Sequence, residues 1–566
     1  MRHFSLPKDG GLIEENLPKG ILHSFEKINT EIFDDAAIGS DRVADIVVKA
    51  IKDHEKAALP RPFKLGLTTG RTPISLYSNL TRQFKEGKVS FANVEVFSID
   101  EYYPCGSDSI QSRNHRLHDE FLDQVDVRKE NIHIPDGSVS KEEISDYCAE
   151  FDRIARGIDL LVIGVGEGGQ VGFNEAGSTE KSVTRTVPLS YISRKRQAHN
   201  FNGDIAVTPK AAITMGIGTM MSARRIILMA WGEDKAKIVH KIVEEDIDSS
   251  CPASWLQSHN NISFFTDEMS ASLLTRSVAP WKVGPCEWTP KLIRKAVVWL
   301  CQKVHKPILK LTQQDYLENF LGDLIDLYGP FDKINIDVFN EFQHTISGWP
   351  GGKPNADDTT RPVKSTPFPK KVLIFSPHPD DDVISMGGTF IRLVHQGHDV
   401  HVAYETSGDL AVHDDVVLQH MDAAYQLGFG DKFDEVKKMI YMAGDLADPH
   451  GTHRVCTEAA LEAIEQLKEE GNDWLNDTTI WLYRGAWMEW ELWRVDMAVP
   501  ISPDELIEKR HAIFRHLSQK DIVPFPGDDP REFWQRAEER TQNTARLYDE
   551  LGMAEYQAIE VFLRLK

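Results

Sequence analysis

Val372-Leu373-Ile374-Phe375-Ser376-Pro377-His378-Pro379-Asp380-Asp381-Asp382 sets four consecutive apolar residues directly before a polar run. The apolar four read as a buried strand of a parallel sheet. The polar run then falls at the strand's carboxyl end, the edge at which open α/β folds bind ligands. His378, Asp380 and Asp381 bring one imidazole and two carboxylates into a single short turn, a donor set suited to Zn²⁺ or a related divalent ion. The same spacing also serves a polar loop that holds no metal, so the rest of the chain has to decide.

Downstream, the same alternation repeats. Gly387-Gly388 opens a helix to about 397, and Val400-His401-Val402-Ala403-Tyr404 is a second strand ending at Thr406-Ser407-Gly408-Asp409. A helix near 414–427 follows. Asp445 to His453 forms a polar turn ahead of a helical run over 454–469, and its His450 and His453 are candidates for a missing ligand and its neighbour. The strand 479–483 leads into Arg484, a candidate substrate contact, and an aromatic stretch. An amphipathic closing helix over 509–519 follows, and a last helix near 531–549 and the tail after it read as packing elements.

Upstream, residues 1–40 read as peripheral, and a helix at 41–57 precedes the strand 62–67. Thr68-Thr69-Gly70-Arg71-Thr72-Pro73 then enters a helix over 73–86. Strand, Gly/Thr turn and helix N-terminus make an anion site, with Thr72 expected as the cap. The strand 94–99 ends in Asp100-Glu101-Tyr102, two acids in the same crevice. A helix over 109–123, a short strand at 131–133 and a helix over 141–154 come next. The strand 158–163 then runs into Gly164-Val165-Gly166-Glu167-Gly168-Gly169-Gln170-Val171-Gly172-Phe173-Asn174-Glu175. That run lacks the dinucleotide fingerprint, so no organic cofactor is expected. Its glycines let backbone approach a small ligand, with Asn174 and Glu175 as polar contacts. Strands near 213–217 and 225–230 and a helix from 234 complete the sheet. Residues 290–345 read as helices, and a proline-bearing connector follows to about 368.

Length and composition bound these readings. A chain of 566 residues exceeds one hydrophobic core, and 41% apolar with 27% charged residues describes a folded protein. A formal charge of −23 argues against nucleic acid, though a phosphate pocket needs only local donors. No apolar stretch approaches the roughly 20 residues of a membrane span, and no signal peptide is evident. The six cysteines are scattered, with no Cys-x-x-Cys, and fit reduced thiols in the cytoplasm. The expected fold class is α/β: two parallel-sheet, Rossmann-like three-layer domains, 1–290 and 368–566, joined by a helical bridge and linker over 291–367.

On these motifs residues 35–290 resemble the glucosamine-6-phosphate deaminase/isomerase family, related also to sugar-phosphate lactonases. The resemblance rests on the Thr-Gly-x-Thr-Pro loop, Asp-Glu-Tyr, the Gly-rich loop ending Phe-Asn-Glu, Gly216-Ile217-Gly218-Thr219 and Trp231-Gly232-Glu233-Asp234-Lys235-Ala236. It implies that Asp100 is the base moving a proton between sugar C1 and C2, and that Glu175 supports ring opening. Thr69, Gly70, Thr72, Arg185 and Lys235 would bind the phosphate. The family's Asp-Gly-His unit, however, reads Gly168-Gly169-Gln170 here, and a glutamine does not shuttle protons. The region around His199 aligns where a phosphate-binding arginine is expected. A modified isomerase, a lactonase-like enzyme and a non-catalytic sensor are therefore alternatives for this half.

Residues 370–520 resemble the zinc-dependent N-acetylglucosaminyl deacetylase family (PIG-L/LmbE-like). His378, Asp381 and His453 would bind Zn²⁺ or another divalent metal, Asp380 would be the general base, and His450 would assist the leaving amine. Asp382 stands for the usual Glu, and Thr452 for a frequent Asp. Together the two resemblances imply small amino-sugar or sugar-phosphate substrates; charge and the lack of an apolar span lead to the expectation of no nucleic acid and no membrane, and a homo-oligomer stays open.

Overall fold

The computed structural model describes residues 10–14, 17–201, 204–406, 451–471, 479–484, 489–516 and 531–565; at 199, 451–455, 458 and 468 it describes the backbone alone. The chain divides into two compact units, residues 13–285 and the remainder.

In the first unit, β1 (Asn29–Phe33), β2 (Phe63–Leu67), β3 (Val94–Ser98), β5 (Ile132–His133), β6 (Leu160–Gly164), β9 (Ile226–Ala230) and β10 (Ile262–Asp267) form a seven-stranded sheet. Every pairing in it is parallel, in the order β1-β10-β9-β6-β2-β3-β5. Successive side chains of a strand point to opposite faces, which is visible in β6. Leu160 and Val162 join one apolar cluster, with Val43, Val47 and Ile51 of α1 (Ala36–Lys56) and Leu76 and Leu80 of α2 (Ile74–Lys85). Leu161 and Ile163 join the other, with Phe151 of α4 (Ile144–Ala155) and Val239 and Ile242 of α6 (Ala236–Val243). Helices thus cover both faces, as the expectation of an α/β three-layer unit requires.

The chain leaves β2 toward β3 and β5 on one side, then returns through β6 on the other. The strand order therefore reverses between β2 and β6, and the crevice beyond their carboxyl ends is the position where such sheets bind ligands. A second sheet, antiparallel, lies in the order β4 (Asp100–Tyr103), β8 (Ala211–Thr214), β7 (Arg185–Pro188).

Two expectations need correction. Residues 1–40 are not all peripheral, since β1 is the sheet's edge strand and pairs with β10 from Asn29↔Ser263 to Phe33↔Asp267. Nor does Thr72 cap α2: Pro73 occupies the N-cap with no side-chain cap bond, and the Thr72 side chain packs toward Gly164. α1 does have a side-chain cap, with Asp35 accepting from Ala37 N (2.7 Å) and Ile38 N (2.8 Å).

In the second unit, the helices α7 (Pro290–Val304), α8 (Gln313–Glu318), α9 (Gly322–Tyr328) and α10 (Phe331–Thr345) fold together with the carboxyl-terminal elements. Lys291 pairs with Asp496 at 2.7 Å, Arg294 Nη2 donates to Val495 O at 2.8 Å, and Phe342 meets Tyr548 edge to face. β11 (Lys371–Ser376) pairs parallel with β12 (Asp399–Tyr404), six residues in register. β13 (Ile480–Leu482) and β14 (Met497–Ile501) flank β15 (Ala558–Leu565) in an antiparallel sheet. The tail is thus a central strand, buried over most of its length. α11 (Asp381–His395) begins earlier than Gly387 and is broken at Met386, whose φ and ψ are −140° and 26°. α12 (Gly451–Glu469), α13 (Pro503–Ile513) and α14 (Phe533–Glu550) complete the unit, and the helix expected at 414–427 lies outside the described residues.

Candidate functional site

The Gly-rich segment after β6 organises the first unit's crevice. Gly172 sits at φ 56°, and a Cβ there would lie 2.8 Å from Thr214 Oγ1 and 3.3 Å from Asp100 Oδ2. Glycine is needed for both conformation and space, and it brings this loop against Asp100. Gly164 does the same for the other loop, with Thr72 side-chain atoms 3.2–3.4 Å from its would-be Cβ.

Asp100 is 4% exposed, and its Oδ1 has no hydrogen-bond partner among the described residues. Burial pushes its carboxyl up, and the Arg113 guanidinium pulls it down. A buried acceptor left unpaired is costly, so Asp100 Oδ1 is a group that a ligand or water would satisfy. Thr69 Oγ1, on the neighbouring strand end, is a second buried atom without a partner. Gly70, at φ 123°, has open space where a Cβ would project.

Glu101 has a different task. Its carboxylate accepts from Tyr102 N (2.7 Å), Arg113 N (2.9 Å) and Asn114 N (2.8 Å), and so satisfies the first donors of α3 (Arg113–Glu120). Burial pushes it up to about 7 against those three donors. Of the two adjacent acids, Asp100 lies against the Gly-rich loop and Glu101 anchors a helix.

Asn174 is fully buried, donating to Met215 O at 2.7 Å and Val171 O at 3.0 Å and accepting from Arg185 Nη1 at 3.1 Å. Arg185 also donates to Ser178 Oγ at 2.9 Å and Val183 O at 3.1 Å, so neutral groups hold its side chain among the described residues. Glu175 is half-buried and accepts from Ser190 N at 3.3 Å, at the N-terminus of α5 (Tyr191–Gln197). Lys235 is paired with Asp234 at 3.1 Å and Glu167 at 3.7 Å. Gln170 folds back on its own loop, its Oε1 accepting from Gly168 N at 2.9 Å.

Sequence reasoning missed Arg113. It is 6% exposed, its guanidinium lies 4.9 Å from the Tyr102 ring and 5.3 Å from the Phe173 ring, and it donates to Gln197 Oε1 at 3.1 Å. Nothing in the local pattern of Ser112-Arg113-Asn114 distinguishes it from a surface arginine.

In the second unit, His378 and Asp381 meet at the end of β11. Asp381 Oδ2 accepts from His378 N at 2.9 Å and lies 3.0 Å from His378 Nδ1. Asp380 holds the N-cap position of α11. Asp382 is 1% exposed, with Ser376 Oγ 3.1 Å from its Oδ1, and burial pushes its carboxyl up. Glu405, Cys456, Tyr483 and His516 gather around these acids. Burial and Glu405 push the Cys456 thiol up to about 11, burial and then Asp381 raise Tyr483, and burial lowers His516 against the pull of Asp382. An imidazole and a carboxylate side by side fit a zinc-type ion. Among the described residues no larger metal-binding cluster occurs; His450 lies outside them, as does the side chain of His453. Arg484 is turned toward its own segment, donating to Glu489 O at 3.1 Å and lying 5.1 Å from the Trp490 ring. No helix among the described residues is long and apolar enough to cross a membrane.

Comparison with known proteins matches residues 35–264 to the family model of glucosamine-6-phosphate isomerases/6-phosphogluconolactonase, and residues 373–428 to that of GlcNAc-PI de-N-acetylase. A glucosamine-6-phosphate deaminase-like protein of Bacteroides thetaiotaomicron is 42% identical over 97% of this chain and 96% of its own length. Glucosamine-6-phosphate deaminase 2 of Bacillus subtilis is 36% identical over 37% of this chain and 85% of its own. Among solved structures, a monomeric glucosamine-6-phosphate deaminase is 32% identical, covering 44% of this chain and all of that one, with a TM-score of 0.41.

Proposed function

The chain belongs to the glucosamine-6-phosphate isomerase/6-phosphogluconolactonase family and carries a second segment like GlcNAc-PI de-N-acetylase, and from that premise we propose that it is an enzyme of amino-sugar metabolism with two chemistries. The first unit acts on a sugar phosphate, with Asp100 as the base at C1 and C2. The buried Asp100 carboxylate, its Oδ1 unpartnered among the described residues and its Oδ2 against the Gly-rich loop at Gly172, is the observation that carries this reading. Thr69, Gly70, Thr72, Arg185 and Lys235 would fix the phosphate, and Glu175 would support ring opening. Holding the phosphate sets the register of the migrating proton against a carboxylate that cannot move away.

The second unit hydrolyses the amide of an N-acetyl sugar. His378 and Asp381, with His453 as third donor, would hold a zinc-type ion, which when bound supplies Lewis-acid polarisation of the amide and acidifies water. Asp380 takes the proton from the attacking water, and His450 gives one to the leaving amine. Arg484 would contact the sugar. Deacetylation in one unit yields the free amine that deamination in the other consumes.

Gln170 favours a second reading of the first unit, as a sensor or an altered isomerase, because its amide is bonded to its own loop and does not titrate. Mass spectrometry of the whole protein with Zn²⁺, on N-acetylated and free amino-sugar phosphates, separates these. Asp100→Asn is expected to cut ammonia release by roughly 10²–10⁴-fold and spare acetate release; His378→Ala and chelation are expected to do the reverse. Sugar-phosphate binding without ammonia or ketose formation, unaltered by Asp100→Asn, would establish the sensor. Absence of acetate release from every N-acetyl sugar would refute the hydrolase.

A further inference from the structure

α11 carries Asp381 at its first position and is broken five residues later, at Met386. In an unbroken helix the N–H groups of Gly388 and Thr389 would be directed to the carbonyls of Ile384 and Ser385. Here Glu560, from β15, takes both donors: Oε1 accepts from Gly388 N at 3.0 Å and Oε2 from Thr389 N at 2.7 Å. Arg540, from α14, reaches both acceptors, donating through Nη2 to Ser385 O at 2.6 Å and Ile384 O at 3.5 Å. Lys509, from α13, balances Glu560 at 2.7 Å, with both side chains 1% exposed. The Lys509 stem lies 3.0 Å from where a Gly387 Cβ would stand, and Ile501 lies 2.6 Å from a Gly388 Cβ, so the two glycines admit this packing. Arg540 also donates to Arg484 O at 3.0 Å, which ties the short leading segment of α11 to the loop after β13.

We propose that Glu560, with Lys509 and Arg540, forms a positioning group for the metal-binding turn. By bonding the two donors and two acceptors that flank Met386, it holds residues 381–385 at one angle and keeps Asp381 beside His378. The proposal rests on the reading of His378 and Asp381 as metal ligands. A buried ion pair that only filled space could be exchanged for apolar side chains of similar volume with little loss of stability. A positioning group could not be so exchanged without cost to the ligands it orients, where such outer contacts are worth about 10–100-fold in metal affinity.

The test measures zinc affinity of the full-length apo-protein by competition with a chelating dye, together with amide exchange over 381–395 in the absence of metal. Lys509→Met/Glu560→Leu, which keeps no acceptor, is expected to bind zinc about 10–100-fold more weakly while remaining folded, and to exchange faster at Gly388 and Thr389. Lys509→Met/Glu560→Gln keeps one acceptor oxygen and should fall between this variant and the parent; if the leucine variant does not fold, the glutamine variant carries the comparison. A folded variant with the parent's zinc affinity overturns this proposal alone. A parent protein that binds no zinc overturns the metal reading and this proposal with it.

Discussion

Replacing Arg113 with methionine removes the cation that acts on Asp100 while keeping an unbranched apolar chain between the rings of Tyr102 and Phe173. Both charges are buried, at 6% and 4% exposure, so solvent screens them little. At an effective dielectric near 20, two unit charges about 4 Å apart attract by about 4 kcal/mol, which sets a ceiling for this pair. Burial drives Asp100 up and Arg113 opposes it, so the variant's carboxylate should ionise at higher pH. Asp100 must be ionised to take a proton, and the acid limb of kcat/KM is therefore expected to move to higher pH. Arg113→Lys should restore most of the original profile. The assay follows ammonia release, and exchange of the C2 proton with solvent deuterium, on the whole protein from pH 5 to 9. Glu101, Tyr102 and Tyr77 also sense the Asp100 charge, so the variant is compared in the Glu101→Gln background as well. An acid limb that stays in place in a folded variant, or moves down, refutes the electrostatic argument.

Glu101→Gln tests the separation of the two adjacent acids by stability. With a folded value near 7 against an ordinary 4.5, Glu101 takes up a proton on folding between those limits. Its contribution to stability is therefore greatest below about 4.5 and falls as pH rises toward 7. Urea unfolding at pH 5 and pH 7 should show a shallower difference in the variant, and equal slopes would contradict the assignment. In the Gly-rich loop, Gln170→His with Gly168→Asp returns a titrating imidazole and a carboxylate to orient it. Ammonia release should then rise by on the order of 10², and an unchanged rate would show that proton transfer at this loop is not what limits the reaction.

Much of the fold was legible locally. The apolar runs 160–163 and 226–230 are buried on both faces of their sheet, so they carry a continuous hydrophobic signal that no solvent-facing residue interrupts. Edge strand β1 escaped notice because Asn29, Ile32 and Phe33 lie at half-covered or exposed positions, which weakens the pattern. β15 was passed over as tail packing, although its partners lie on both sides and Glu560 interrupts its apolar run.

The candidate sites divide along the same line. Sequence alone placed Asp100, Thr69, the Gly-rich loop and His378-Pro379-Asp380-Asp381 at strand ends, because local periodicity determines where strands stop and stops are where polar residues gather. Local pattern did not tell Asp100 from Glu101, which only the family resemblance separated, since the difference lies in which carboxylate meets the N-terminus of a helix twelve residues away. Nor did it show Arg113 as the charge beside Asp100, or Glu560 as the acceptor for Gly388, a contact spanning 172 positions. Those assignments depend on which groups are buried together. Desolvation and pairing act through space, so only the folded chain determines them.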